Sequence, residues 1–160
     1  MSSMIRRRFF CLLPLLSSCA NEPPKIVEKP KAAPVPKPVD ETRKFPKADL
    51  VRVTTIPKGI LGKDFMPGGN LAEYKHGQQT YQLFLVKTFT PDSAAILLLD
   101  LKNHLQDAKF VPAFGGYYGS DAGRPVFTFT KNAYLLGIVG LVQKDADPIA
   151  RATRKPDCAA

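Results

Sequence analysis

Two histidines, His76 and His104, stand in this 160-residue chain. With Ser93, Ser120, Asp64, Glu73 and Asp121 they are the first side chains to test for chemistry. Each type carries a geometric demand. A metal site needs three or four converging ligands, and neither histidine has an HxxxH or HxxE partner. A serine nucleophile needs a base beside it, and neither serine sits in an elbow or an SxxK context. A carboxylate pair can cleave a glycosidic bond; Asp64, Glu73 and Asp121 lie in or near turn-rich stretches, where solvated surface charge is the plainer role. The residues thus point to no metal, no cofactor and no catalytic group. A small hydrolase built on those carboxylates is the alternative to a non-enzymatic domain.

The three cysteines carry a sharper signal. Arg6-Arg7-Arg8 precede the apolar run Phe9-Phe10-Cys11-Leu12-Leu13-Pro14-Leu15-Leu16, and small residues Ser17 and Ser18 lead to Cys19. A basic start, a short apolar core and a small-residue site make a secretory signal peptide. The apolar run is far shorter than the roughly 20 residues of a spanning helix. Leu16-Ser17-Ser18-Cys19 resembles the lipobox of bacterial lipoproteins. That resemblance implies a lipid thioether on Cys19, cleavage between Ser18 and Cys19, and a further fatty chain such as palmitate on the new amino group. Several chains on one residue meet the need for more than one anchor in stable membrane attachment. Ala20, which is not aspartate, favours the outer membrane under that family's sorting rule, with the protein facing the periplasm. An ordinary cleaved signal with a chance cysteine is the blander reading. Arg6-Arg7-Arg8-Phe9-Phe10 also partly matches a twin-arginine signal, with a plain basic start as the blander reading. Cys158 is left alone, so no internal disulfide forms and the fold must rest on its apolar core.

Removal of residues 1–18 takes three arginines and lowers the formal charge from +9 to +6. No dense Lys/Arg run follows, so a nucleic-acid partner is not expected. Residues 21–46 hold seven prolines and no glycine. Such a segment buries too little surface to offset its ordering entropy and is expected to be a disordered tether. Its Pro/Lys pattern also raises binding to peptidoglycan or a partner groove. The expected organisation is residues 1–18 as signal, 19–46 as lipidated Cys19 with its tether, and 47–160 as one folded domain.

Within that domain, residues 50–56 read as a β-branched strand and residues 58–70 as a Gly-rich loop. A short strand is expected near 71–75, a turn at 76–79 and a strand over 80–88. Thr90-Pro91-Asp92 is a helix start, with a cap, Pro in the first turn and an acid at the dipole's positive end. Ala94, Leu97, Leu98, Leu101 and Leu105 recur at spacings of three and four, predicting a buried stripe up to about residue 106; Ile96 and Leu99 are expected to widen it. Residues 109–114 read as an edge strand because of Pro112. Residues 115–123 read as a turn-rich loop. The clearest hairpin joins 125–130, where Val126, Thr128 and Thr130 alternate with Phe127 and Phe129, to 134–142. Asp147-Pro148 is expected to open a last short helix. The fold class is α+β: an antiparallel sheet of about five or six strands, one main helix packed on a face, and a short C-terminal helix. Residues 81–141 faintly resemble small bacterial envelope domains with a Pro-Asp-Ser-Ala-Ala helix start and a closing Gly-rich loop and hairpin; no catalytic motif comes with the likeness.

Tyr117 and Tyr118, set between glycines, are the candidate ligand or partner contacts, since tyrosine offers apolar area with a polar tip. Phe65 and Asn70 are the candidate second wall of a cleft. The plainer alternative is that Gly sets a turn and the tyrosines pack on the sheet. The expectation from sequence is therefore a membrane-anchored envelope lipoprotein. Its domain would bind an envelope protein or peptidoglycan, or serve a structural role.

Overall fold

Alternation along residues 124–131 sends Phe127 and Phe129 to one side of a strand and Val126 and Thr128 to the other, all four buried. A strand with two buried faces lies inside a sheet covered on both sides. The computed structural model describes residues 40–154 and shows that sheet. Strands β1 (Leu50–Lys58), β2 (Pro67–His76) and β3 (Gln79–Lys87) form a meander. Helix α1 (Pro91–Asn103) crosses over to a second meander, β4 (Gln106–Val111), β5 (Gly116–Asp121), β6 (Arg124–Lys131) and β7 (Tyr134–Val139). Helix α2 (Gln143–Arg154) follows. All seven strands share one sheet in the order β1-β2-β3-β7-β6-β5-β4, and every neighbouring pair is antiparallel.

The sheet has seven strands, more than the five or six expected. The additional strand is β5. Its glycines read as turn residues, yet two of them serve close packing. A Cβ on Gly116 would overlap the Thr128 carbonyl oxygen, and one on Gly119 would press on Leu105 and the Gln106 carbonyl. Glycine in a strand often marks such an approach. Gly137 works the same way in β7, where the Phe84 ring occupies the space a side chain would take.

One face carries α1. Thr90 caps the helix, its Oγ1 accepting from the Ser93 N–H at 3.1 Å, and Pro91 opens the first turn. Ala94, Leu97, Leu98 and Leu101 are buried, and Leu105 follows just past the helix end. Phe84, Val86, Val126, Leu135 and Val139 rise from the sheet to meet them. Ile96 and Leu99 do not widen the stripe; they are 61% and 50% exposed, because α1 meets the sheet with one side only. The β1–β2 connection folds onto this face as well, burying Ile60 and Met66. Its tip is held by Lys63 Nζ on Asp121 Oδ1 at 2.9 Å and by Phe65 stacked on His104 at 4.2 Å between ring centres.

The opposite face is covered by α2 and by the segment before β1. Ala146 and Ala150 bring α2 close to Phe114, Phe127 and Phe129, whose rings sit 5.1 to 5.6 Å apart. The helix begins at Gln143, before the expected Asp147-Pro148, because the Val142 carbonyl accepts from the N–H groups of Asp145 and Ala146. Pro148 then falls inside the helix.

Residues 40–46, assigned to the tether from composition, pack on the domain instead. Phe45 is buried among Leu85, Phe129 and Leu136. The buried Glu41 carboxylate meets Lys44 Nζ at 3.3 Å and Lys87 Nζ at 3.2 Å, and accepts from the Tyr134 hydroxyl at 3.2 Å. Burial works to raise the Glu41 pKa, but the hydrogen bonds and charges of Lys87 and Lys44 outweigh it and hold the group below its ordinary value. A carboxylate with a depressed folded pKa contributes stability above its unfolded pKa and loses it as pH falls through the folded one. Glu41→Gln is therefore expected to destabilise the protein at neutral pH by about 1–3 kcal/mol. The gap to the unmodified protein should close between about pH 5 and pH 3, as read by denaturant unfolding at each pH.

Candidate functional site

Helix α1 contacts β5, β6 and β7, and the β1–β2 connection lies beside it over the β3 end near Lys87. The opposite corner of that face, where β2 ends and β3 begins, has no helix over it. Strand alternation tells which side chains point there. Phe84, Val86, Val126, Leu135 and Val139 face α1. Arg124, in step with Val126, and Thr80 and Gln82, in step with Phe84, share their side. The register pairs Gln82 with Glu73 and Lys75 with Thr80, bringing those two onto it as well. The result is a groove of about 450 Å³, lined by these residues with Val51, Tyr74, Tyr81, Val139 and Gly140.

Its polar groups are arranged in one row. Arg52, Glu73, Gln82 and Val139 are consecutive cross-strand partners. Arg52 Nε and Nη2 donate to Glu73 Oε2 and Oε1 at 2.8 and 2.9 Å, a bidentate clasp. Those hydrogen bonds hold the Glu73 pKa below the ordinary carboxylate value. Desolvation opposes them, and the Arg52 charge and a hydrogen bond from Gln82 add to the lowering. Glu73 is therefore an ionised, neutralised acceptor at neutral pH, unsuited to donate a proton to a leaving group. The side chains of Lys75 and Arg124 are exposed and make no hydrogen bond or ion pair with any described residue.

Of the residues singled out from sequence, the structure stacks Phe65 on His104 but separates Glu73 from Asp121. Glu73 and Asp121 lie on β2 and β5, four strand spacings apart, or about 19 Å. Two glycosidase carboxylates sit within about 9.5 Å. Asp121 is also engaged by Lys63, and Asp64 is exposed on the β1–β2 connection. His76 Nδ1 pairs with Asp49 Oδ2 at 2.8 Å on the surface; His104 Nδ1 bonds the Asp100 carbonyl at 2.8 Å beneath Phe65. Ser93 belongs to the α1 cap, and Ser120 lies in β5. Among the described residues no three His, Cys, Asp or Glu side chains gather where a metal ion could sit, and no helix is long and apolar enough to cross a membrane.

Tyr117 and Tyr118 are strand residues, not loop residues, and alternation turns them to opposite faces. Tyr117 packs with the α1-side cluster and against the Phe110 ring at 5.5 Å, while Tyr118 packs with the α2-side cluster. They cannot act together on one ligand. Phe65 and Asn70 do not share a wall either: Phe65 lies over His104, and Asn70 is buried in β2, its Oδ1 accepting from Thr55 Oγ1 at 2.9 Å. Ser18 and Cys19 lie outside the described residues, as does Cys158. The groove residues Lys75, Thr80, Gln82 and Arg124 went unremarked in the sequence. The signal for them is Gln82, a polar residue in phase with the buried Phe84 and Val86.

Comparison with protein-family models, with curated protein sequences and with solved structures gives no match.

Because each tyrosine packs on the sheet, replacing it removes core contact rather than a ligand contact. Tyr117→Ala and Tyr118→Ala are each expected to lower stability by about 1–3 kcal/mol, measured as a shift in the denaturation midpoint. A midpoint unchanged in both would return the pair to the role of free contact residues.

Proposed function

We propose that this chain is a lipid-anchored protein of the bacterial cell envelope, held at the outer membrane through Cys19 and facing the periplasm. Its α+β domain acts as a non-enzymatic binding module. The observation that carries the anchor is the succession Arg6-Arg7-Arg8, an apolar run, and Leu16-Ser17-Ser18-Cys19. Only a thiol at that position accepts a thioether-linked lipid, and small residues before it let a peptidase approach the backbone. The Pro-rich stretch behind it suits a spacer. Between Cys19 and Asp40 it can reach at most about 60 Å at the polyproline rise, so a domain on its end samples the space next to the membrane.

Support for a binding role comes from the uncovered sheet corner. A recess of about 450 Å³ falls within the range of small-ligand sites. Of the carboxylates considered for hydrolysis, Glu73 and Asp121 are held in ion pairs four strands apart, which favours binding over hydrolysis. The ligand is expected in the envelope, as a protein segment or a cell-wall component.

Intact mass of the protein purified from membranes tests the anchor. The account predicts a mature chain beginning at Cys19 and carrying diacylglycerol and acyl mass. Cys19→Ala should abolish that mass and leave uncleaved precursor. A mature chain that begins elsewhere, or an unmodified Cys19, would overturn the proposal.

A further inference from the structure

We infer that the open sheet corner is a binding site for an oxyanion, a carboxylate or phosphate on a small ligand, held between Arg124 and Lys75. This deepens the binding role proposed above and stands independently of the lipid on Cys19.

The inference rests on charge, partners and shape. Within the groove, Glu73 is the acidic group, and Arg52 already clasps both of its oxygens. The neighbouring acid Asp121, whose cross-strand partner is Arg124, is likewise taken, by Lys63 at 2.9 Å. The two acids therefore leave the positive charges of Arg124 and Lys75 uncompensated. A guanidinium presents a planar fork that matches carboxylate or phosphate, and an ammonium adds a second point charge. Both cations line the same recess, with the Thr80 hydroxyl and the Gln82 amide between them.

Shape sets the rest of the ligand. Val51 and Val139 give the groove an apolar part of its floor, so a ligand with a short apolar stem beside its anion fits better than a bare ion. Gly140 lines the recess with a φ of +96°, a backbone conformation that belongs to glycine. The same corner is the place where the sheet breaks its own apolar pattern. Glu73, Lys75, Thr80 and Gln82 occupy inward-phase positions that carry Phe84 and Val86 further along.

The test is an amide chemical-shift titration of the full mature chain in detergent, with inorganic phosphate, N-acetylalanine and neutral N-acetylalaninamide as probes. Saturable shifts at Lys75, Gln82, Arg124 and Gly140 from at least one anion, with none from the amide, are expected. Tighter binding of N-acetylalanine assigns the site to carboxylates, and tighter binding of phosphate to phosphorylated ligands. Arg124→Gln combined with Lys75→Gln should weaken the binding at least about ten-fold. Both side chains are exposed and bond no described residue, so the rest of the spectrum should stay unchanged and report an intact fold. No saturable shift from either anion at tens of millimolar would overturn the inference. Equal shifts from the neutral amide, or binding undiminished in the double variant, would do the same.

Discussion

A single crossover sets what this domain can cover and what it must leave open. Successive antiparallel steps make β3 and β4 parallel, with β7, β6 and β5 between them. The chain must therefore return from one end of the sheet to the other while moving four strands sideways. Thirteen residues of α1 give about 20 Å of helix, and four strand spacings come to about 19 Å. The helix matches the sideways step, and residues 88–90 and 104–105 on either side of it complete the return along the strands. It seals the β7–β6–β5 part of one face and cannot reach the β1–β2 side. The β1–β2 connection fills part of the remainder with Ile60 and Met66, held down by Lys63 and Phe65. The last corner stays uncovered, and there the strands switch from apolar to polar side chains.

The other face meets the same problem differently. Two short elements share it, α2 at one part and residues 40–46 at another. Alanines 146 and 150 let α2 settle onto the phenylalanine cluster, while Phe45 and Glu41 fix the entering chain at the β3–β7 end. The place where any tether must join the domain is thus set by a buried carboxylate held by two lysines and a tyrosine.

Much of this architecture can be read from the residues. Thr90-Pro91-Asp92 marks the helix start because capping and dipole effects are local, and the strict alternation over 125–130 exposes β6 because both of its faces are buried. Strand β5 escapes notice because its glycines serve a close approach of strand and side chain that no local pattern records. The same holds for residues 40–46, whose prolines and charges look unfolded until Lys87 and Tyr134, far away in sequence, gather around Glu41. Ile96 and Leu99 fit a helical stripe, but which arc of a helix is buried depends on the partner it meets. The groove is legible only in part: Gln82 breaks the phase of β3, yet its meeting with Arg124 needs the order β3-β7-β6. Leu16-Ser17-Ser18-Cys19, which resembles a lipobox, is the reverse case, a local signal on residues that the structure does not describe.

If the corner left open by α1 is where the domain meets its ligand, a photo-reactive amino acid placed there should find it in living cells. Thr80 is an exposed lining residue, and Ile96, exposed on the outer side of α1, serves as the control position. The account predicts a light-dependent adduct at Thr80 and none at Ile96. An adduct at Ile96 with none at Thr80 would contradict it.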